Sequence, residues 1–100
     1  MRLGAEDALV VVVAPDHPWA RRRSLGAAEL ADGAALVREP GSGTRETLEL
    51  ALARQGLTLT PSLELPSSSA VRAAALTGAG AAVLSGLAVA AEVAAGRLVR

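Results

Sequence analysis

The segment Glu39-Pro40-Gly41-Ser42-Gly43-Thr44-Arg45 gathers most of the residues in this chain that could hold a small charged molecule. Gly41 and Gly43 let the backbone approach a ligand closely. Ser42 and Thr44 add hydroxyl groups where the following spacing predicts a helix to start. Free main-chain N–H groups and the positive end of a helix dipole favour an anion at such a place. Arg45 can add a charge-assisted hydrogen bond, and Glu39 sets a carboxylate at the loop mouth. The loop differs from a nucleotide P-loop, because it is short and lacks a Gly-Lys-Ser/Thr ending. Glycine and serine ahead of a helix are also ordinary turn and capping residues, and a position at the carboxyl end of a strand is what turns them into a candidate site. Ser67 and Ser85 stand at two similar junctions, where a cap and a ligand contact are equally good readings.

Catalytic chemistry finds little support. The single histidine, His17, lies between Asp16 and Pro18 with no second metal-type ligand spaced to join it, so a turn residue is expected. Glu46 and Glu49 read as helix-surface charge. There is no cysteine, and no nucleophile elbow, zinc motif or dinucleotide fingerprint. The expectation is a binding module with no catalytic residue, no metal and no cofactor. Ten arginines balance ten acidic residues with no lysine, and Arg21-Arg22-Arg23 reads as a solvated patch, so nothing resembles a nucleic-acid footprint.

These loops need elements to position them. Leu9-Val10-Val11-Val12-Val13 is β-branched without alternation, the pattern of a strand covered on both faces, and Pro15 and Pro18 end it. Ser24 is a candidate cap for a short helix over residues 25–30. A second strand over 34–37 leads into the glycine loop and a helix over 44–55 that stops at Gly56. A short strand at 63–65 is followed by a helix capped by Ser67 or Ser68, with Val71, Ala74, Ala75 and Leu76 on its apolar face. Residues 81–84 form a third buried strand, then a helix runs to about residue 95, Gly96 stops it, and 97–99 form a last strand. Strand and helix alternating in this way predict one α/β unit over residues 1–100, with a parallel sheet and right-handed crossovers. The three candidate loops, 39–45, 66–69 and 85–86, all fall at carboxyl ends of strands.

Hydrophobic residues make up 51% of the chain and charged residues 20%, as in folded proteins. With no Phe, no Tyr and one Trp, the core must be built from Leu, Val and Ala, and low thermal stability is expected. No apolar run reaches the roughly 18 residues of a membrane span, and residues 8–14 are too short for a signal core, so the reading is a cytoplasmic protein with no membrane contact.

The stretches Leu9-Val10-Val11-Val12-Val13-Ala14-Pro15-Asp16-His17-Pro18, Arg38-Glu39-Pro40-Gly41-Ser42-Gly43-Thr44-Arg45, Gly80-Ala81-Ala82-Val83-Leu84-Ser85, Leu87-Ala88-Val89 and Ala95-Gly96-Arg97-Leu98-Val99 resemble, in order and spacing, the effector-binding domain of LysR-type transcriptional regulators. The resemblance covers nearly the whole chain. It implies a three-layer α/β lobe of a type 2 periplasmic-binding-protein fold with terminal hinge strands, of which this chain would be the second lobe. Loop 39–45 is similar to the loop that lines the family's effector cleft. Glu39, Ser42, Gly43, Thr44, Arg45, Ser67 and Ser85 are then the expected contacts of a small, anionic effector. The sequence departs from the family at Pro66, where Gly is frequent, at Ser69, where an acidic residue is common, and at Gly86, where a larger residue is usual. DNA would be contacted only by a domain outside this sequence. A lobe of an oxyanion solute-binding protein is the alternative; an upstream winged helix-turn-helix or a secretion signal would separate the two. A small α/β enzyme is a weaker third reading, since only Glu39 and Arg45 could titrate at the cleft edge.

Self-association is also expected. The strand at 63–65 is predicted to lie at the sheet edge beside the 44–55 helix, and Leu50 is displaced from that helix's apolar stripe. Leu50, Leu63 and Leu65 are the candidate homodimer contacts, in line with the side-by-side pairing of LysR-type sensing domains that the resemblance implies.

Overall fold

The computed structural model describes residues 2–3, 9–22 and 24–100. A five-stranded sheet is ordered β1 (Arg2–Leu3), β2 (Leu9–Val12), β5 (Ala81–Ser85), β3 (Ala35–Arg38), β4 (Leu63–Leu65). Four helices accompany it: α1 (Ala27–Ala31), α2 (Gly43–Ala53), α3 (Ser68–Leu76) and α4 (Gly86–Ala94).

Alternating side chains divide the Val-rich strand between two cores, as a strand covered on both faces requires. Leu9, Val11 and Val13 pack with Leu30 and Ala31 of α1 and Leu48 and Leu52 of α2. Val10 and Val12 pack with Val71 and Ala75 of α3, Val89 of α4, and Leu98. The result is three layers, with α1 and α2 on one face of the sheet and α3 and α4 on the other. Small residues make close packing possible: a Cβ on Gly80 would stand 3.1 Å from the Ala34 carbonyl oxygen and 3.3 Å from Leu36.

Three expectations are corrected. The sheet is mixed: β3 is parallel to β4 and β5, but β2 runs antiparallel to β5, with Leu9 opposite Ser85 and Val12 opposite Ala82. A doubly buried strand looks the same in either direction, so the apolar run carried no sign of this. The last strand, expected over residues 97–99, is a single antiparallel bridge in which Val13 and Val99 exchange both main-chain hydrogen bonds, at 3.0 and 2.8 Å. Gly96, at φ 76°, turns the chain so that only one residue comes into register. The cap of α1 is Gly26, not Ser24. Gly26 has no side chain to accept a first-turn N–H; its own N–H donates to Glu29 Oε2 at 2.9 Å, the glutamate half of a capping box, and Arg22 holds the same carboxylate with two hydrogen bonds. Arg22 is therefore paired; Arg23 and most of the N-terminal segment 1–8 lie outside the described residues. β1 adds two residues to the sheet edge beside β2.

His17 is the turn residue expected, its Nδ1 accepting a hydrogen bond from the main-chain N–H of Trp19 at 3.0 Å. Trp19 packs against the α1–α2 core. Among the described residues, no helix is long and apolar enough to cross a membrane.

Candidate functional site

Because β5, β3 and β4 are parallel neighbours, their carboxyl ends share one edge of the sheet. After each strand a serine with extended backbone, at or within four residues of the strand's last residue, caps the following helix. Ser42 Oγ accepts from the Arg45 N–H at 3.1 Å, Ser67 Oγ from the Ala70 N–H at 3.1 Å, and Ser85 Oγ from the Ala88 N–H at 3.3 Å. A helix has N–H groups in its first turn with no partner inside the helix. Each cap takes one, leaving those of Gly43 and Thr44, of Ser68 and Ser69, and of Gly86 and Leu87 facing outward. Ser42, Ser67 and Ser85 thus all act as caps, and through them the fold brings the three predicted loops to one edge.

Layer assignment makes this edge the kind of switch point at which open α/β sheets bind ligands. The chain leaves β3 into α2 on one face of the sheet, while it leaves β5 and β4 into α4 and α3 on the other. Neighbouring strands whose helices diverge open a gap between their loops, and loop 39–45 has such a gap on either side. Adjacent strands are about 4.8 Å apart, so the three loops are close neighbours along this edge, with loop 39–45 in the middle.

Two glycines widen this edge without serving the fold. Gly43 has an ordinary φ and a Cβ there would meet nothing within 4 Å; at Gly86 a Cβ would meet only Val10 Cγ1, at 3.8 Å. Gly41 is different, since its φ of 93° requires glycine to turn the loop. Glu39 stands at the mouth with its side chain 46% exposed, hydrogen bonded by Arg38 at 3.2 and 3.3 Å. Its own main-chain N–H, and then Arg38, hold its carboxyl below the usual range. An ionised, half-neutralised carboxylate here suits a ligand that also carries a hydroxyl donor.

Arg45 is not at the mouth. It is the one charged residue that is buried among those described, and its guanidinium turns back beneath the loop to Glu64 of β4, to Glu49 at 3.3 Å and to the Arg38 carbonyl at 3.3 Å. Glu64 and then Glu49 raise its pKa, so it stays a cation. Nothing in the local pattern pairs residues 45 and 64, which meet only because β4 docks beside β3. Arg72 is likewise placed by a contact distant in sequence: its Nη1 donates to the Ala88 carbonyl at 2.8 Å and ties α3 to the first turns of α4. Leu87, at the α4 start, is 92% exposed and lends the edge an apolar element.

The expected dimer residues do not share one face. Leu50 is 55% exposed on α2 and Leu63 is 44% exposed on β4, which is indeed the sheet edge. Leu65 is half-buried and packs into the α3–α4 core, so by alternation Leu63 and Leu65 belong to the face opposite α2. Only the backbone edge of β4 is common to both.

The family model for the LysR substrate binding domain matches residues 1–100. An HTH-type transcriptional regulator of Mycobacterium tuberculosis is 52% identical over 100 residues, covering 94% of this chain and 32% of the regulator. The CcmR regulatory domain of Synechocystis PCC6803, solved in complex with 2-PG, is 33% identical with a TM-score of 0.75, over 92% of this chain and 44% of that one. The periplasmic aliphatic sulphonate binding protein SsuA of Escherichia coli is 25% identical with a TM-score of 0.66, over 92% of this chain and 30% of that one. This chain spans about a third of the length of the curated regulator it matches. Its three layers, its diverging helices and these likenesses agree on a type 2 periplasmic-binding-protein-like fold, and the chain belongs to the LysR substrate-binding domain family.

Proposed function

We propose that this chain is the second lobe of the effector-sensing domain of a LysR-type transcriptional regulator, and that it reads a small anion bearing a hydroxyl group without transforming it. The observation that carries the reading is the alignment of three serine-capped helix starts, at Ser42, Ser67 and Ser85, along one sheet edge. Their outward N–H groups supply the anion site, Glu39 accepts from the hydroxyl, and Gly43 and Gly86 leave room for the ligand. A protein of the same fold, SsuA, is named a sulphonate binding protein, and a sulphonate is an oxyanion, which supports the ligand class. The remainder of the cleft would come from a first lobe, and DNA contact from a separate domain, in a regulator that works in the cytoplasm and pairs through the β4 edge and the Leu50 face of α2.

An NMR titration of the ¹⁵N-labelled chain tests this. Inorganic phosphate and 2-PG should shift the amides of residues 42–45, 67–70 and 85–88, with millimolar affinity because one lobe leaves the ligand half solvated. Shifts confined elsewhere, or none up to 50 mM, would remove the site. For pairing, sedimentation of wild type and Leu50→Glu should give a weak dimer and a monomer respectively; a wild-type monomer, or a dimer that ignores the substitution, removes the interface.

A further inference from the structure

Arg45 occupies an electrostatically unfavourable position. It is the third residue of α2, where the helix dipole favours an anion and opposes a cation. Yet its side chain is only 9% exposed, while those of its partners Glu49 and Glu64 are 46% and 45% exposed. Half-exposed carboxylates are screened, so the pairing contributes little net stability. Geometry gives it another meaning. The three partners come from three segments around loop 39–45: Arg38 closes β3 where the loop begins, Glu49 lies on the helix where it ends, and Glu64 lies on β4, opposite Val37 of β3 in the parallel register. The main chain of the same residue donates to Ser42 Oγ and so fixes the loop's cap. One residue therefore holds both ends of the loop and ties them to the sheet's edge strand.

We propose that Arg45 is a positioning residue, a clasp that sets the shape of the anion-binding loop according to the position of edge strand β4. The proposal rests on the reading of loop 39–45 as the effector site. Its consequence is linkage: whatever engages the β4 edge changes the affinity of the loop, and ligand in the loop changes the affinity of the edge by the same factor. Among the described residues, no other side chain hydrogen bonds both to β4 and to the loop's own flanks.

Glu64→Gln separates a clasp from a direct ligand contact, because the two predict opposite signs. If Arg45 served the anion directly, removing a nearby carboxylate would free the guanidinium and lessen repulsion, and phosphate would bind more tightly. A clasp predicts about fivefold weaker phosphate binding in the same variant, at the low end of ordinary coupling. Arg45→Lys, which keeps the charge and loses the forked geometry, should weaken binding similarly, and the double variant should be no worse than either single one. Glu49→Gln, which leaves the tie to β4 intact, should have the smaller effect. Ligand-free amide exchange supplies an independent reading: in Glu64→Gln the amides of residues 42–45 should exchange faster while those of β2 and β5 keep wild-type rates. Unchanged exchange in the loop, or tighter phosphate binding, overturns the clasp. Failure of the wild type to bind phosphate at all would instead overturn the site reading and leave the exchange comparison to judge the clasp.

Discussion

The two ends of this sheet are made from the same strands and share no chemistry. At the carboxyl ends of β3, β4 and β5, three serines cap three helices and leave main-chain N–H groups facing outward. At the other end, Val13 and Val99 satisfy each other, Trp19 covers the core, and Val13, Trp19, Arg22 and Leu25 line a shallow depression walled mainly by apolar groups. Strand composition is not what separates them, since β2 and β5 are both apolar and buried over most of their lengths. Direction separates them. Each parallel strand delivers its chain to a helix start at one edge, and the dipoles add there.

The largest test of that contrast is at the closed end. Trp19→Ala should cost about 2 kcal/mol, less than the 3–5 kcal/mol typical of a fully buried tryptophan because Trp19 is only partly buried. Phosphate-induced shifts at residues 42–45 should nonetheless survive. Urea denaturation and the titration check the two halves of this statement; loss of the shifts in a folded variant would merge the two ends into one functional unit. At the open end, Ser42→Ala should cost about 1 kcal/mol, the usual worth of a cap, and should also weaken phosphate binding, since the loop loses its anchor at Arg45. A stable variant with intact binding would make Ser42 neither cap nor contact. Gly43→Ala should behave in the opposite sense: a gain of a few tenths of a kcal/mol, because a Cβ meets nothing and alanine is the better helix former, together with weaker phosphate binding because the methyl group occupies the ligand's side. Unchanged binding would show that this glycine is a passive turn residue.

The smallest expected effect is with pH. Glu29 and Glu39 are both held below the usual carboxyl range, Glu29 first by Arg22 and then by the Gly26 N–H, and Glu39 first by its own N–H and then by Arg38. A depressed folded pKa contributes stability that is present above the unfolded value and is lost as pH falls through the folded value. Melting temperature should therefore decline gently below about pH 4, where an unperturbed glutamate titrates. Glu29→Gln should show less of this decline than wild type; an identical decline would mean that other carboxylates dominate.

Most of the elements were legible in the sequence, because apolar runs, helical spacing and glycine stops are local signals. The run at residues 9–13 announced burial on both faces, and Ser42, Ser67 and Ser85 announced three helix starts. What was hidden depends on partners distant in the chain. Strand direction for β2 is decided by β5, whose pairing leaves no mark on a run of valines. Arg45 looked like a ligand residue because it follows a glycine loop, and its guanidinium was redirected by Glu64, which no short-range pattern connects to it. The separation of Leu50 from Leu63 and Leu65 likewise required knowing which layer each element joins.

The pairing of β2 with β5 also carries a consequence for how the chain reaches this structure. Leu9 finds its partner at Ser85, so the centre of the sheet joins residues 76 positions apart in the chain. Contacts this distant in sequence form slowly, because a large loop must close before they can contribute. During synthesis β3, α2, β4 and α3 all emerge before β5 does, and for that interval Leu9-Val10-Val11-Val12-Val13 has no β5 to pair with. A β-branched run with no charge and no proline is the kind of segment that associates with other chains when exposed. The strand that gives the folded core its density is thus the one that most needs shielding while the protein is being made.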